Sequence, residues 1–222
     1  MYKKYSLLIF DWDGTLANSK PLTVAATQKA AVDLGLPAPT EEMIDRYFGI
    51  ELTEMLARLL PGGNLEKLTQ RFYHHFSYEP LFDKTLATLT QLKNAGFTLA
   101  LATNRTRIRL EQALTSSGTR LLFTATRTVD ECARKPHPAM VLEILEELRH
   151  QPAAALMIGD SEADMQAAKN AGIAGMAACY DAQSRKQMKI LKPTYYLNAI
   201  EELPEKLWQK SNQPKLRQPL YI

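Results

Sequence analysis

The hydrophobic pattern near the start of the chain predicts a buried strand that ends in an acidic turn. Leu7-Leu8-Ile9-Phe10 is a continuous apolar run, typical of a short strand covered on both faces. The run stops at Asp11-Trp12-Asp13-Gly14. If the backbone stays extended through Asp13, its period of two places the Asp11 and Asp13 side chains on one side, and Gly14 then permits a sharp turn. These residues alone fit an ordinary Asp-Gly turn as well as a pair of reactive carboxylates.

The segment from residue 18 to residue 81 has a helical spacing of apolar residues and no strand-like run. Ser19 and Pro21 predict the start of a first helix and Gly35 its end, and Thr40 predicts the cap of a second helix. Two further helices are expected over residues 53–60 and 64–78. We therefore expect this segment to be an all-helical insertion.

From Lys84 onward, helical and strand-like patterns alternate. Helices are expected over 84–95, 105–117, 138–148 and 162–171, and strands over 97–102, 122–125, 154–158, 175–178 and 195–197. Such alternation predicts an α/β fold, a Rossmann-like parallel sheet with helices on both faces. We expect residues 1–17 and 82–222 to form this core domain and residues 18–81 to form the inserted helical domain; the pattern assigns no structure to residues 210–222.

Composition narrows the class of protein. The 222 residues are 45% apolar and 23% charged, as in ordinary soluble proteins, and no apolar run approaches the roughly 20 residues of a membrane helix. The first apolar run is too short for a signal peptide, so we expect a cytoplasmic protein with no membrane partner. A net charge of +3, spread along the chain, argues against a nucleic-acid partner. Cys132 and Cys179 lack the spacing of metal ligands and are expected to be reduced thiols.

Polar side chains stand where the predicted strands end. They are Asp11 and Asp13 after the first strand, Thr103-Asn104-Arg105 after the second, Lys135 in the loop after the third, and Gly159-Asp160-Ser161-Glu162-Ala163-Asp164 after the fourth. Taken singly, each has a local explanation as a helix cap, a first-turn acid or a solvated lysine. Because sites in parallel α/β sheets form at the carboxyl ends of strands, their joint placement predicts one common site.

In this order, the polar groups resemble the four motifs of the haloacid dehalogenase superfamily. Asp11-Trp12-Asp13-Gly14-Thr15 is similar to the first motif, Thr103 to the second, Lys135-Pro136 to the third, and residues 159–164 to the fourth. The helical insertion resembles the small cap domain of the phosphoglycolate-phosphatase-like and β-phosphoglucomutase-like branch. Within it, Arg46-Tyr47-Phe48-Gly49 resembles that branch's substrate-facing Arg-x-x-Gly turn. Asn18 departs from the pattern, since relatives often carry Asp there, but it lies outside the four motifs.

The resemblance implies a phosphatase that works through an aspartyl-phosphate on Asp11. Asp13 would protonate the leaving group and later activate water, and it would face a metal through its backbone carbonyl. Asp160 and Asp164 would complete the metal site. Because a phosphate dianion and several carboxylates repel one another, the site needs a cation, and oxygen ligands favour Mg²⁺. Metal ligation is thus expected from Asp11, Asp13, Asp160 and Asp164.

The remaining site residues are expected to hold the substrate. Thr103 and Lys135 would stabilise charge on the phosphoryl oxygens, and Lys135 would also orient the nucleophile. The backbone N–H of Asn104 would bind a phosphoryl oxygen. Arg46 would reach the substrate from the cap.

Three functions remain open on these residues. An acid at Asp13, two residues after the nucleophile, is implied to mark members that transfer phosphate, which favours a phosphatase of a small phosphorylated metabolite such as phosphoglycolate or a sugar phosphate. A phosphomutase would use the same core residues, and a non-catalytic binding or regulatory protein on the same fold is the alternative from another class. The partner is expected to be a small phosphate ester, and the chain a monomer or a weak homo-oligomer.

Overall fold

The computed structural model describes residues 2–77 and 79–209. In this part of the chain the strands are Tyr2–Lys3 (β1), Leu7–Phe10 (β2), Thr98–Ala102 (β3), Ala125–Arg127 (β4), Ala155–Gly159 (β5), Ala174–Ala178 (β6), Tyr195–Leu197 (β7) and Trp208–Gln209 (β8). The α-helices are Lys20–Asp33 (α1), Glu41–Asp45 (α2), Leu52–Leu59 (α3), Leu65–His75 (α4), Thr85–Asn94 (α5), Arg107–Ser116 (α6), Ala139–Glu147 (α7), Glu162–Asn170 (α8), Ala182–Met188 (α9) and Leu203–Leu207 (α10).

A parallel sheet of six strands organises the core. Its strand order is β4-β3-β2-β5-β6-β7, so the acidic turn after β2 lies at the middle of the sheet. Leu7 is in register with Thr98 of β3 and with Ala155 of β5. β1 and β8 form a separate antiparallel pair. Because all six strands run the same way, their carboxyl ends share one edge.

Alternate residues of the central strands enter two different hydrophobic clusters. Leu8 and Phe10 pack with residues of α5, α6 and α10, whereas Leu7 and Ile9 pack with residues of α7 and α8. The continuous apolar run of β2 is thus explained by helices on both faces. This confirms the predicted α/β fold, a Rossmann-like parallel sheet.

Helices α1 to α4 enclose a hydrophobic cluster of their own. Ala30 of α1, Leu56 of α3 and Leu68 of α4 are fully buried there. We call residues 18–81 the cap. The chain enters and leaves the cap side by side, because Ala17 bridges to Leu81 and the Asn18 N–H donates to the Pro80 carbonyl. The pairing lies at the expected boundary, and the division into two domains stays a prediction.

Several element boundaries differ from expectation. Helix α4 ends at His75, because Phe76 has extended backbone angles and is the C-cap; Tyr78, the expected end, lies outside the described residues. Ser19 precedes α1, but its side chain makes no capping hydrogen bond. The strand expected over 122–125 is found at Ala125–Arg127, because a short 3₁₀ turn occupies Arg120–Leu122. The expected tail from residue 210 also lies outside the described residues.

Helix α6 begins two residues later than expected. Thr106 has extended backbone angles and is the N-cap, so Arg105 belongs to the loop that follows β3. This displacement frees the Arg105 side chain from the helix surface.

No helix in the described ranges has both the length and the hydropathy that crossing a membrane requires.

The cap cluster yields a test of the domain division. Leu68→Ala removes a fully buried side chain of the cap and should cost about 2–5 kcal/mol of cap stability. If the cap opens as its own unit, hydrogen exchange should accelerate in α1 to α4 and not in β2 or β5. Leu156→Ala, at a fully buried position of β5, is the matched control and should accelerate exchange in the sheet. Equal acceleration of sheet and cap by Leu68→Ala would contradict two domains.

Candidate active site

The turn after β2 presents two carboxylates to one cavity. The Asp11 N–H still donates to the Ile158 carbonyl of β5, at 2.9 Å, which continues the sheet pairing by one residue. Both Asp11 and Asp13 line a cavity between core and cap. Trp12 points the other way into the core, where it is buried. The sequence-based expectation that the two acids share one side therefore holds in the structure.

Lys135 is the centre of a buried ion cluster. Its Nζ lies 2.6 Å from Oδ1 of Asp11 and 2.6 Å from Oδ1 of Asp164, and the three side chains are almost completely buried. Burial acts to lower the pKa of Lys135, but the two carboxylates outweigh it and raise that pKa. Lys135 therefore stays charged, and both acids depend on it for compensation.

Asp160 lies beside Asp11 and Asp164, but no cationic side chain among the described residues is at ion-pair distance from it. It accepts a hydrogen bond of 3.2 Å from Oγ1 of Thr15. Burial, followed by repulsion from Asp11 and Asp164, raises the pKa of Asp160 well above its usual range. Burial and the charge of Asp164 likewise raise the pKa of Asp11 to about 7, against the opposing effect of Lys135. A further cation would relieve this repulsion.

Two glycines allow these acids to approach the backbone. A Cβ on Gly14, whose φ is +74°, would lie 2.0 Å from Oδ2 of Asp160. A Cβ on Gly159 would lie 2.3 Å from Cγ of Asp164. Gly14 thus serves both the turn, since its positive φ favours glycine, and the packing of the Asp160 carboxylate, since a Cβ would clash with it.

The carboxylate of Asp164 is fully engaged. One oxygen bonds Lys135, and the other accepts from the N–H and the Oγ of Ser161 at 3.0 and 2.5 Å. The Ser161 side chain in turn accepts from the Asp164 N–H, which completes a capping box at the start of α8. The local explanation of Asp164 as a first-turn acid and its place in the ion cluster are therefore both correct.

Asp13 is held by Arg105, a residue to which sequence reasoning gave no role. Nε and Nη2 of Arg105 donate to the two carboxylate oxygens of Asp13 at 2.6 and 2.5 Å. Burial opposes ionisation of Asp13, but the charge and hydrogen bonds of Arg105 outweigh it and hold the pKa of Asp13 below its usual range. Asp13 is thus ionised here.

Glu79 completes this second ion pair and was also missed. Nη1 of Arg105 donates to Oε1 of Glu79, and Nε1 of Trp12 donates to the same oxygen at 3.0 Å. Glu79 lies between α4 and the core, so the segment that leaves the cap is tied to the acidic turn. A single acid before Pro80 carries no periodic signal, and the sequence offered no means of finding it.

Thr103 and Asn104 stand where expected, at the end of β3. Thr103 is buried, and its Oγ1 accepts from the Arg105 N–H at 3.3 Å. The Asn104 side chain accepts from the Lys135 N–H at 3.1 Å and donates to the Gly49 carbonyl of the cap at 3.1 Å. The side chain therefore links core loops to the cap, while binding of a phosphoryl oxygen by the Asn104 backbone N–H stays a prediction.

Arg46 is not brought into the cavity that Asp11 and Asp13 line. Its guanidinium bonds Glu42 at 2.9 Å, and 67% of the side chain is exposed. It lines a separate groove, on the side of the site where Asp160 and Gly14 lie. Contact of Arg46 with a substrate stays a prediction.

The donor set fits a magnesium ion. Asp11, Asp160 and Asp164 each offer a carboxylate oxygen, and these oxygens lie within 4.8 Å of one another. Oxygen donors are those that Mg²⁺ prefers, and the excess of buried carboxylates over Lys135 favours a divalent cation. The carboxylate of Asp13 is directed to Arg105, so only its backbone carbonyl remains for the expected metal contact.

The charge balance of the ion cluster can be tested by measuring the free energy of unfolding of variants. In chelator, Lys135→Met should destabilise the protein by about 3–5 kcal/mol, because two buried carboxylates lose their partner. Asp160→Asn should instead stabilise it. A raised pKa means that the stability contributed by Asp160 is present at low pH and lost as the pH rises, so the gain should grow as the pH rises above the ordinary pKa of an aspartate, about 4. Urea denaturation measures both, and a gain that shrinks with pH would contradict the proposed repulsion.

Comparison with known proteins places this site in a family. The family model of the haloacid dehalogenase-like hydrolases matches residues 8–178. A phosphoglycolate phosphatase of Vibrio parahaemolyticus is 30% identical over an alignment of 217 positions, which covers 90% of this chain and 94% of that protein. The pyrophosphatase PpaX of Bacillus mycoides is 25% identical over 205 residues, covering 90% of this chain and 95% of its own.

The fold agrees with this assignment. The crystal structure of a predicted phosphoglycolate phosphatase from Haemophilus somnus superposes with a TM-score of 0.81 at 24% identity, covering 94% of this chain and all of that one. Residues 8–178, which the family model matches, include the ends of the strands that are followed by Asp11, Thr103 and Asp160. The chain belongs to the haloacid dehalogenase-like hydrolase family.

Proposed function

We propose that this protein is a Mg²⁺-dependent phosphatase that hydrolyses a small phosphomonoester, with phosphoglycolate as the first candidate. The observation that carries the proposal is the ion cluster, in which Asp11 lies against Lys135 at the floor of a cavity that Asp13 also lines. The named relatives are phosphatases and a pyrophosphatase, which agrees with chemistry at phosphorus.

Asp11, Asp160 and the backbone carbonyl of Asp13 would hold the metal, with Asp164 supporting the shell. Bound there, Mg²⁺ would supply positive charge to the phosphoryl oxygens and offset the repulsion among the carboxylates.

Asp11 acts as the nucleophile in this proposal. Its free carboxylate oxygen attacks phosphorus, the bond to the leaving oxygen breaks, and an aspartyl-phosphate forms. Lys135 fixes the other oxygen of Asp11 and favours the ionised form of the carboxylate, against the burial that raises its pKa. Thr103, at the end of the neighbouring strand, donates to a phosphoryl oxygen and stabilises the charge that develops.

Asp13 acts as the general acid and then as the base for water. In the arrangement described above it is an ionised acceptor with both oxygens on Arg105, so it has no proton to give. Its role as an acid therefore requires that the contact with Arg105 be broken when the substrate is bound. Arg105 can keep its bond to Glu79 when it leaves Asp13, which lowers the cost of breaking that contact.

A phosphomutase on a sugar phosphate is the second candidate, because it would use the same core residues. Analysis of products separates the two activities: a phosphatase releases inorganic phosphate, whereas a mutase returns an isomeric ester. The cytoplasmic location, the monomeric or weakly oligomeric state and the division at residues 18 and 81 remain our predictions.

The two aspartates of the turn should fail differently when they are replaced. Asp13→Ala keeps the nucleophile, and p-nitrophenolate leaves without a proton, so the first step should proceed and hydrolysis should stall. Rapid mixing with p-nitrophenyl phosphate should show a burst approaching one equivalent of nitrophenolate, followed by very slow turnover. Asp11→Asn should give no burst. A comparable burst from Asp11→Asn would show that Asp11 is not the nucleophile. Turnover by Asp13→Ala at the wild-type rate would show that Asp13 is neither the acid nor the base.

Metal dependence follows from the donor set. Exhaustive chelation should abolish turnover and Mg²⁺ should restore it, whereas Ca²⁺, which is larger and looser in geometry, should support it poorly. Since protons compete for the raised-pKa acids Asp11 and Asp160, Mg²⁺ affinity measured by calorimetry should fall as the pH drops below about 7. Full activity after chelation would overturn the metal site.

A further inference from the structure

The cavity above Asp11 has two unlike walls. The cap supplies apolar and aromatic side chains, among them Phe48, Met55, Phe72 and Tyr73. The core supplies the loop after β3 and the first turn of α6, including Arg105 and Arg109. The substrate's alcohol portion would lie between these walls if its phosphoryl group is held at Asp11.

The two arginines differ in charge balance. Arg105 is neutralised, because it bonds the carboxylates of both Asp13 and Glu79. Arg109 makes no ion pair with any carboxylate in residues 2–77 and 79–209; its Nη1 donates to the side-chain carbonyl of Gln112 at 3.1 Å. Arg109 therefore brings an uncompensated positive charge to the cavity wall.

The cap holds this charge in place. The guanidinium carbon of Arg109 lies 3.2 Å from the ring centroid of Tyr73, on α4 of the cap. Stacking uses the face of the planar fork and not its N–H groups, so those that do not bond Gln112 can donate, which suits bidentate binding of a carboxylate or phosphate. Such an interaction gains strength where apolar side chains exclude water.

The third acid that lines the cavity, Glu51, makes no ion pair with Arg109 among the described residues. Its carboxylate caps α3 by accepting from the N–H groups of Thr53 and Glu54, each at 3.0 Å. Among the described residues, Arg109 thus lines the cavity without an acidic partner at ion-pair distance, while the carboxylates of Asp11, Asp13 and Glu51 bond other groups.

We infer that Arg109, stacked on Tyr73, selects substrates that carry a second anionic group, a carboxylate or a phosphate, on the alcohol portion of the phosphomonoester. The inference rests on the proposed function and gives it a specificity-determining residue. Neither Arg109 nor Tyr73 belongs to the motifs at the strand ends. The residue that the sequence pattern favours for this task, Arg46, is instead paired with Glu42 in the separate groove.

The experiment uses probes that cannot be hydrolysed. Methylphosphonate carries one anionic group, phosphonoacetate adds a carboxylate, and methylenediphosphonate adds a second phosphonate. Calorimetric titration with saturating Mg²⁺ compares the wild type with Arg109→Gln, Arg109→Lys and Arg46→Gln. Arg149→Gln removes an equal charge from an exposed site after α7 and is the matched control.

The wild type should bind at least one doubly anionic probe more tightly than methylphosphonate. Arg109→Gln should weaken the binding of that probe by about 10–100-fold, the range of a lost charge-assisted contact, and leave the affinity for methylphosphonate unchanged. Arg109→Lys should recover part of the loss, because it keeps the charge without the planar fork. If binding of phosphonoacetate is weakened, the second group is a carboxylate; if binding of methylenediphosphonate is weakened, it is a phosphate.

Other outcomes would overturn the inference. Equal weakening of all probes by Arg109→Gln would mean that Arg109 only fastens the cap to the core. If Arg46→Gln loses the preference for doubly anionic probes and Arg109→Gln keeps it, Arg46 and not Arg109 binds the second anionic group. If the wild type binds the doubly anionic probes no more tightly than methylphosphonate, the cavity has no site for a second anionic group. Failure of the proposed function has a different signature, since Asp11→Asn would then hydrolyse p-nitrophenyl phosphate as the wild type does.

Discussion

The site depends on the compensation of several buried carboxylates by one lysine. Asp11 and Asp164 share Lys135, and Asp160 lies beside them with no cation of its own at ion-pair distance in the described part of the chain. Removing such charges from water is costly unless they are paired, and here the pairing is incomplete. The burial and the mutual repulsion that raise the pKa values of Asp11 and Asp160 therefore also favour binding of a divalent cation at the site. Instability of the metal-free cluster and affinity for metal have the same physical origin.

The second ion pair joins the acidic turn to the cap. Arg105 bridges Asp13, which follows β2, and Glu79, which follows the cap, while Asn104 bonds the cap at Gly49. A change in the position of the cap would alter both contacts. The contact that keeps Asp13 ionised is thus placed where substrate binding between core and cap would disturb it, which gives the proposed acid a means of acting only when the cavity is filled.

Much of this architecture was predictable from local pattern. The apolar run of β2 predicted a strand buried on both faces, and the alternation after Lys84 predicted a parallel sheet, because both signals depend on neighbouring residues. The start of α6 was predicted two residues early, since Thr106 was not recognised as a cap. Arg105 was noted at the strand end but was also counted as the first residue of the helix and given no role, whereas its position in the loop is what lets it turn back to Asp13.

By itself, the sequence determined that Asp11, Asp13, Thr103, Lys135 and Asp160 meet at one edge of the sheet, because parallel strands align their carboxyl ends. Only the tertiary structure decided which partner each charge takes. Arg105 meets Asp13 across 92 residues, Tyr73 of the cap meets Arg109 of the core, and Arg46 turns to Glu42 instead of the cavity. Such pairings depend on how the cap packs on the core, and isolated polar residues in loops carry no periodicity from which that packing can be read.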